Sequence, residues 1–273
     1  MRPAQGAKRD AFLGRIGTRP LLMGIVNVTP DSFFDGGQFF NTNLACKQAK
    51  RLADEGADII DIGGETKRPG SMPIPLEEEL ARIEPVLAAL DGALDVPLSI
   101  DTDKADVAAR AVDLGAILIN DVWGLQKDPA MAGVVAQTGA ALVIMHNRAD
   151  KDPNIDIMAD IRRFFDRSLT IAAGAGIPHN RIILDPGIGF AKTSQQNIDA
   201  IKRLSELRDY ALPILVGASR KAFLGSTSGG SEASLIGSIG VNLAAAGNGA
   251  SLFRVHEVAA HAIAFKAYEA LRG

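Results

Sequence analysis

Side chains that could bind a polar ligand stand at the ends of apolar runs throughout this sequence. Eight aliphatic runs each close on acidic, amide or basic residues. In chain order these are Asn27, Asp61, Asp101, Asn120 with Asp121, His146, Asp185, Lys221, and Arg254 with His256. Buried carboxylates require partners, which can be protein cations or a ligand rich in N–H donors, such as a nitrogen heterocycle bound through paired hydrogen bonds. The residue types therefore indicate a site for a polar heterocycle and an anion.

The runs themselves predict buried β-strands. Four to six aliphatic residues without polar alternation are typical of a strand that is covered on both faces. Intervals long enough for a loop and a helix separate the runs, although the third interval is tight. This alternation predicts an α/β fold, a parallel (β/α)8 barrel with its active site at the carboxyl ends of the strands. In that fold the eight polar ends converge on one mouth.

Length and composition fit one such domain. The 273 residues match a barrel of about 250 residues with a short extension, so we expect a loose extension over residues 1–20 and the barrel over residues 21–273. The net charge is −3, without a long block of one sign, which argues against a nucleic-acid partner or a membrane surface. No apolar run reaches the length of a membrane span. The single cysteine, Cys46, excludes a disulfide framework and favours the reducing cytoplasm.

Two polar, glycine-rich loops follow the first two predicted strands, over residues 29–37 and 63–71. Both belong to the predicted active face and share one edge of the mouth. Long loops on that face are candidates for lids over a ligand. Ordinary turns are the alternative, but the paired charges and the phenylalanines favour lids.

The cations among the polar ends indicate an anion site. Arg254 and His256 are two positions apart, so in a strand their side chains share a face. With Asn27 on the neighbouring first strand and Arg68 on the second loop, they could surround a phosphate-like group. Barrels often bind phosphate near their last strands.

A hard cation such as Mg2+ would suit the same place, because it prefers a few protein oxygens together with phosphate oxygens. Asn27, Asp31 and Asp35 could supply the protein oxygens. A metal-hydrolase site is not indicated, since the chain has neither an HExxH motif nor paired CxxC motifs. A phosphate-binding loop ending in GK[ST] is also absent from the sequence.

Three further polar ends have simpler interpretations. A helix is expected to begin near Ser219 and Lys221, and its free N–H groups with the Ser219 hydroxyl would suit a carboxylate. Asp121 has Asn120 beside it and is expected to cap a local turn. His146 is expected to cap or to pack, with metal ligation as the weaker alternative.

Together these segments resemble the bacterial dihydropteroate synthases, a family of pterin-binding barrels, from about Leu21 to the C-terminus. The matching segments are long, ordered and on different strands. They are MGIVNVTPDSFFDGG (23–37), DIGGETKRPGS (61–71), SIDT (99–102), INDVWG (119–124), MHNR (145–148), LDPGIGFAKT (184–193), VGASRKAFLG (216–225) and RVHE (254–257).

The resemblance implies a transfer reaction of folate biosynthesis, assisted by Mg2+. In it 6-hydroxymethyl-7,8-dihydropterin diphosphate and 4-aminobenzoate give 7,8-dihydropteroate and diphosphate. The pterin would be held by Asp101, Asn120, Asp185 and Lys221, with help from Asp61. The diphosphate and its metal would be held by Asn27, Arg68, Arg254 and His256. The aminobenzoate would be surrounded by Phe33, Lys67, Pro69 and Ser219. The catalytic set would be Asp35, Lys221, Arg254 and His256.

One departure from the family pattern bears on the substrate. The usual Glu-Ser-Thr-Arg of the second loop is Glu65-Thr66-Lys67-Arg68 here. Because that loop shapes the aminobenzoate site, Lys67 bears on substrate affinity and on the response to sulfonamides, and not on the reaction class. The changes to Ala191 and Glu257 in two other motifs are expected to be neutral.

Two other functions remain as alternatives. A pterin-binding corrinoid methyltransferase domain would share the barrel and the acidic pocket, but would not need the diphosphate loop. A non-enzymatic binding protein would be expected to have lost key residues, and here every expected key residue except the one at the Lys67 position is present. The resemblance also implies a homodimer, for which the outer helices near the C-terminal half are the expected surface. The Ala-rich stretches at 243–250 and 259–267 suit close helix packing there, and would equally suit packing on the barrel.

Overall fold

The computed structural model describes residues 1–29, 38–66, 71–221 and 230–272. Its strands are β1 (Leu21–Asn27), β2 (Ile59–Gly63), β3 (Leu98–Asp101), β4 (Ala116–Asp121), β5 (Ala141–Met145), β6 (Ile182–Asp185), β7 (Leu215–Val216) and β8 (Leu252–Val255). Its α-helices are α1 (Pro3–Arg15), α2 (Gln38–Asp54), α3 (Leu76–Leu90), α4 (Ala105–Asp113), α5 (Met131–Thr138), α6 (Ile157–Gly174), α7 (Ser194–Lys202), α8 (Gly230–Gly247) and α9 (Val258–Arg272). None of the helices in these ranges is long and apolar enough to cross a membrane.

The eight strands form one parallel sheet in the order β6-β5-β4-β3-β2-β1-β8-β7. The two ends of this order meet where Leu184 forms a parallel bridge with Ile214. There the Leu184 N–H donates to the Pro213 carbonyl at 2.9 Å. The sheet therefore curls into a barrel, and the predicted (β/α)8 fold is confirmed.

Alternate residues of each strand belong to two separate parts of the core. In β1, Leu22 and Val26 pack with the surrounding helices, whereas Leu21 and Met23 belong to a second cluster drawn from the first residues of the strands. This second cluster fills the barrel interior at its amino end. The packing explains why the runs are aliphatic throughout, since both faces of every strand are covered.

The N-terminal segment is not the loose tail expected from its basic composition. Helix α1 begins with Pro3 at its first turn and buries Gln5, Arg9 and Phe12, which are spaced to lie along one side of a helix. Phe12 packs into the interior cluster, and Gln5 Nε2 donates to the Val112 carbonyl at 2.7 Å. The helix therefore closes the amino end of the barrel, opposite the predicted mouth.

The Ala-rich part of α8 packs inwards. Ala245 and Ala246 are buried against the barrel, as is Ala250 after the helix. Large apolar side chains are instead exposed on the outer helices at Ile236 of α8 and at Ile263 and Leu271 of α9, at 64%, 73% and 88% exposure.

Candidate active site

A cavity of about 610 Å3 opens at the carboxyl ends of the strands. Its lining contains eight of the predicted site residues, namely Asn27, Asp101, Asn120, Asp185, Ser219, Lys221, Arg254 and His256. The parallel register explains why the residues of the first strands meet. Asn27 pairs with Gly63, Gly63 with Asp101, and Asp101 with Asn120, so these four positions form one layer across the mouth. Gly63 leaves room in this layer, because a Cβ there would lie 3.6 Å from both Asn27 Oδ1 and Asp101 Cβ.

An ionic cluster centred on Arg254 joins the rim of the cavity to its acidic floor. Its Nε donates to Asp61 Oδ2 at 2.6 Å and its Nη2 donates to Asp101 Oδ2 at 2.7 Å. Asn120 Nδ2 also donates to Asp61 Oδ2, at 3.1 Å. Asp61 is fully buried beneath the cavity lining, so Arg254 provides the counter-charge that its carboxylate needs.

Two buried acceptors in this cluster concern a ligand differently, since Asn120 lines the cavity whereas Asp61 lies beneath its lining. Among the described residues, neither Asp61 Oδ1 nor Asn120 Oδ1 has a hydrogen-bond partner. Buried polar atoms in proteins are almost always paired, so acceptors of this kind beside a cavity indicate donors from a bound molecule. A heterocycle with several N–H groups would satisfy them.

Asp185 lies on the opposite side of the mouth, at the end of β6. Its Oδ1 accepts the Gly187 N–H at 2.7 Å, which fixes the carboxylate at the start of the next loop. Burial raises the pKa of Asp185, and the nearby cations Lys221, Lys192 and Arg254 act in the opposite direction. The carboxylate therefore faces a cationic neighbourhood that can keep it charged.

Lys221 closes the same side of the cavity. Its ammonium donates to the Ile188 carbonyl and stands 4.3 Å from the centre of the Phe190 ring. Burial lowers the pKa of Lys221 to about 8, against the attraction of Asp185. The lysine thus lies between the cavity and the loop that follows β6.

The helix expected to begin near Ser219 and Lys221 stays a prediction, because residues 222–229 lie outside the described part of the chain. Ser219 and Arg220 lie in a turn after β7, and Arg220 has a left-handed φ of 57°. Ser219 lines the cavity.

Ser219 and His256 contact each other at the rim. Ser219 Oγ lies 3.0 Å from His256 Nδ1 and accepts the His256 backbone N–H at 3.3 Å. The neighbouring Arg220 and Glu257 form an ion pair across the same two strand ends. Ser219, which is expected to contact the aminobenzoate, and His256, which is expected to bind the diphosphate, are therefore adjacent.

The two simple interpretations of Asp121 and His146 are confirmed. The Asp121 carboxylate accepts the N–H groups of Trp123 and Leu125 at 2.8 and 2.6 Å and caps a turn. His146 is completely buried, with Nε2 3.1 Å from Asp160 Oδ2. Its packing identifies it as a structural residue.

Lys192 is the site residue that sequence reasoning missed. It lines the cavity, is 3% exposed, and donates from Nζ to His146 Nδ1 at 2.8 Å. Burial lowers its pKa to about 7. An isolated lysine in a loop usually has its ammonium in water, so Lys192 did not stand out in the sequence. Its place at the end of the Gly-Phe-Ala-Lys segment was the one signal that pointed to it.

The start of the second loop is held by buried ion pairs. Lys104 binds both Glu65 and Glu79, and Arg82 Nη1 donates to the Gly64 carbonyl at 2.8 Å. The rest of that loop, with the predicted Lys67, Arg68 and Pro69, lies outside the described residues, as do Asp31, Phe33 and Asp35 of the first loop.

Asn27 is the one predicted metal ligand that the structure describes. In the described ranges no three His, Cys, Asp or Glu residues are grouped as a metal site. Asn27 lines the cavity with an amide oxygen, which is a donor suited to Mg2+. A metal that brings phosphate oxygens with it needs few protein ligands, so this donor fits Mg2+ carried by a diphosphate.

Comparison with known proteins places the chain in a family. Residues 23–256 match the family described as pterin binding enzyme. The dihydropteroate synthase of Clostridium beijerinckii is 47% identical over 210 residues, which cover 77% of this chain and 78% of that protein. The Clostridium difficile enzyme crystallised with pteroic acid superposes with a TM-score of 0.90 at 44% identity, covering 94% of this chain and 98% of that one.

A third similarity is to the Xanthomonas albilineans dihydropteroate synthase crystallised with 4-aminobenzoic acid. The TM-score is 0.89 at 42% identity, covering 93% of this chain and 94% of that one. Fold, sequence and the polar mouth thus agree. The chain belongs to the pterin-binding enzyme family and, within it, to the dihydropteroate synthases, which are transferases of folate synthesis.

Proposed function

We propose that this protein condenses 6-hydroxymethyl-7,8-dihydropterin diphosphate with 4-aminobenzoate to give 7,8-dihydropteroate and diphosphate. The observation that carries the proposal is one cavity with a buried acidic and amide floor and a rim of Arg254, His256 and Asn27. Such a cavity suits a ligand that is a nitrogen heterocycle at one end and an anion at the other.

The pterin binds on the buried side of the mouth. Asp185 accepts two N–H groups of the ring system, as a carboxylate can and an amide cannot. Asp101 and Asn120 meet the opposite edge of the ring, and Asp61 supports them from below through Arg254. Lys221 donates to the ring from the β7 side.

The diphosphate binds at the rim, on Asn27, Arg68, Arg254 and His256. Arg254 uses two of its five N–H donors on Asp61 and Asp101, and no other described residue takes the rest. These donors are available to phosphate oxygens. Mg2+ held by Asn27 and the diphosphate would neutralise the charge of the leaving group.

The aminobenzoate approaches from the loop side, against Ser219 and the loop residues Phe33, Lys67 and Pro69. Ser219 is already oriented by its contact with His256. This places the amine of one substrate beside the carbon that bears the diphosphate of the other.

Positioning and charge stabilisation provide the catalysis. The C–O bond to the diphosphate breaks first, and its electron pair leaves with the diphosphate that Arg254 and His256 hold. The electron-rich dihydropterin carries the resulting positive charge, and Asp35 stabilises it. The lone pair of the aniline nitrogen then forms the C–N bond, and the proton lost from nitrogen passes to the released diphosphate or to solvent. No strong general base is required.

The same proposal includes a homodimer and a cytoplasmic location. Ile236 on α8 and Ile263 on α9 are exposed apolar side chains on the outer helices expected to pair. The single cysteine suits a reducing compartment. Light scattering at micromolar concentration tests the dimer, and a monomer would exclude it.

Turnover with and without Mg2+ separates the proposal from its alternatives. The synthase releases diphosphate only with Mg2+ and both substrates. A corrinoid methyltransferase domain would instead transfer a methyl group from a methylated pterin and release no diphosphate. A binding protein would take up the pterin and leave it unchanged.

A further inference from the structure

The loop that follows β6 forms one wall of the cavity and has an unusual backbone. Gly187, Gly189 and Ala191 have left-handed φ angles of 67°, 86° and 42°, in alternation with ordinary residues. The left-handed region is strained for a residue with a Cβ, and it persists only where the surroundings enforce it. At Gly187 a Cβ would lie 1.9 Å from the His146 carbonyl oxygen, so the loop and the end of β5 are in close backbone contact.

Lys192 holds this loop from behind. Its Nζ donates to the Gly187 carbonyl at 2.8 Å, to the Phe190 carbonyl at 3.2 Å and to His146 Nδ1 at 2.8 Å. In its protonated form the Lys192 amine has three N–H donors, and all three are used. No carboxylate among the described residues forms an ion pair with it, although the side chain is almost completely buried. These three hydrogen bonds therefore replace the hydration that the Lys192 ammonium loses on burial.

His146, which directly follows β5, is arranged to accept the hydrogen bond from Lys192. Asp160 accepts from Arg148 Nη1 at 3.0 Å and is also paired with Arg163, so it is an ionised acceptor. His146 Nε2 must then carry the proton that points to Asp160, which leaves Nδ1 as the acceptor for Lys192. Burial lowers the pKa of His146 to about 4, so the ring is neutral at neutral pH.

The opposite side of the loop is fixed by two other contacts. Asn197 Oδ1 accepts the Gly189 N–H at 2.6 Å, and the Lys221 ammonium donates to the Ile188 carbonyl. Two lysines, Lys192 and Lys221, thus donate hydrogen bonds to backbone carbonyls of this loop from opposite sides. Lys221 faces the cavity, and Lys192 is shared between the loop and β5.

We infer that Lys192 is a positioning residue for the pterin, which fixes the loop of residues 186–191 so that Asp185 and Phe190 meet the ring in one geometry. The inference rests on the proposed function. Without the ammonium, the two carbonyls of Gly187 and Phe190 lose their donor and the strained backbone loses its support. The side chain of Asp185 is bound to that backbone through the Gly187 N–H, so its orientation changes with the loop.

Titration calorimetry with 6-hydroxymethylpterin tests this on the full-length protein. Lys192→Met should weaken pterin binding by roughly tenfold or more, the scale of lost hydrogen bonds to a charged group. Lys192→Gln keeps N–H donors for the carbonyls and should lose less. Lys202→Met, the same change at an exposed lysine on α7, is the matched control and should bind as the wild type does.

A second readout separates positioning from general loss of structure. Binding of diphosphate with Mg2+ uses the rim and should be retained in Lys192→Met. In turnover, the Michaelis constant for the pterin substrate should rise, and that for 4-aminobenzoate should stay within about twofold of the wild type. Pterin affinity equal to that of Lys202→Met would overturn the inference.

Loss of diphosphate binding in both Lys192 variants would also overturn it, since Lys192 would then support the barrel as a whole. If the wild type itself bound no pterin and formed no product, the proposed function would fail instead. The two failures are therefore distinguishable.

Discussion

Arg254 on β8 and Asp61 on β2 are 193 positions apart in the chain, yet Arg254 Nε lies 2.6 Å from Asp61 Oδ2. Strand β1 lies between β8 and β2 in the sheet, so the contact spans the carboxyl end of β1 at the mouth of the barrel. The same guanidinium binds Asp101 on β3. One side chain therefore ties the cationic rim to the acidic floor, and both halves of the site depend on it.

Arg254→Met should destabilise the fold as well as the diphosphate site. Removing one partner of a buried ion pair leaves an uncompensated charge, at a cost on the order of 3 kcal/mol. Adding Asp61→Asn removes one of the two stranded charges, so the double variant should recover part of the loss. Urea unfolding of the wild type, the single and the double variants measures this. An unchanged free energy of unfolding in Arg254→Met would show that the cluster contributes no stability.

Asp185→Asn should lose most of the pterin affinity. An amide presents one acceptor oxygen and a donor NH2 group, so it cannot accept two parallel N–H bonds through two atoms as a carboxylate can, and losing a buried, charged hydrogen-bond partner costs on the order of 2–5 kcal/mol. Calorimetry with 6-hydroxymethylpterin provides the measurement, with diphosphate binding as the control for the fold. If the variant bound the pterin about as tightly as the wild type, Asp185 would not be a pterin-binding residue.

Acid should weaken the fold through His146. The imidazole has a pKa of about 4 in the folded protein and 6.5 as its ordinary value, because burial disfavours the charged form. The unfolded chain therefore takes up the proton first. This contribution to stability is complete above pH 6.5 and falls towards pH 4, by up to about 1.4 kcal/mol per pH unit. Urea unfolding of His146→Gln between pH 7 and pH 4 should show a correspondingly smaller pH dependence, and equal slopes would contradict the assignment.

Lys67→Thr is expected to raise the Michaelis constant for aminobenzoate and to leave the turnover number nearly unchanged. With the loop open, the long lysine stem lets the ammonium reach water, so only a modest effect is expected. An exposed ion pair with the substrate carboxylate contributes about 0–1 kcal/mol, equivalent to a Michaelis constant raised a few-fold. A sulfonamide carries less negative charge, so its affinity relative to the substrate should increase. If the kinetic and inhibition constants of the variant were unchanged at low and high salt, Lys67 would be a solvated lysine with no effect on the substrate.

The strand ends could be predicted from the sequence because parallel strands of a barrel place their carboxyl ends together. Asp101, Asn120 and Asp185 follow directly from that rule. Contacts made by a side chain with distant backbone could not be predicted in the same way. The Gln5 side chain reaches a carbonyl 107 positions away, and Lys192 finds its acceptors only once the loop after β6 is folded against β5.

Local composition was misleading for the same reason. The first helix is basic overall, and its buried face is only Gln5, Arg9 and Phe12. The left-handed turn at Arg220, with its ion pair to Glu257 and its backbone N–H donated to Ser238 Oγ, also depends on contacts distant in the sequence. The ligand and catalytic roles of the predicted site residues stay predictions, and Asp35, Lys67 and Arg68 also lie outside the described residues.

The most direct measurement of the proposed reaction is the stoichiometry of its two products. The protein is mixed with Mg2+, 6-hydroxymethyl-7,8-dihydropterin diphosphate and 4-aminobenzoate, and 7,8-dihydropteroate is quantified by mass spectrometry beside released diphosphate. We expect the two products in equal amounts, with both lost when either substrate is omitted. Diphosphate release that is unaffected by omitting 4-aminobenzoate, or release without any 7,8-dihydropteroate, would contradict the proposed function.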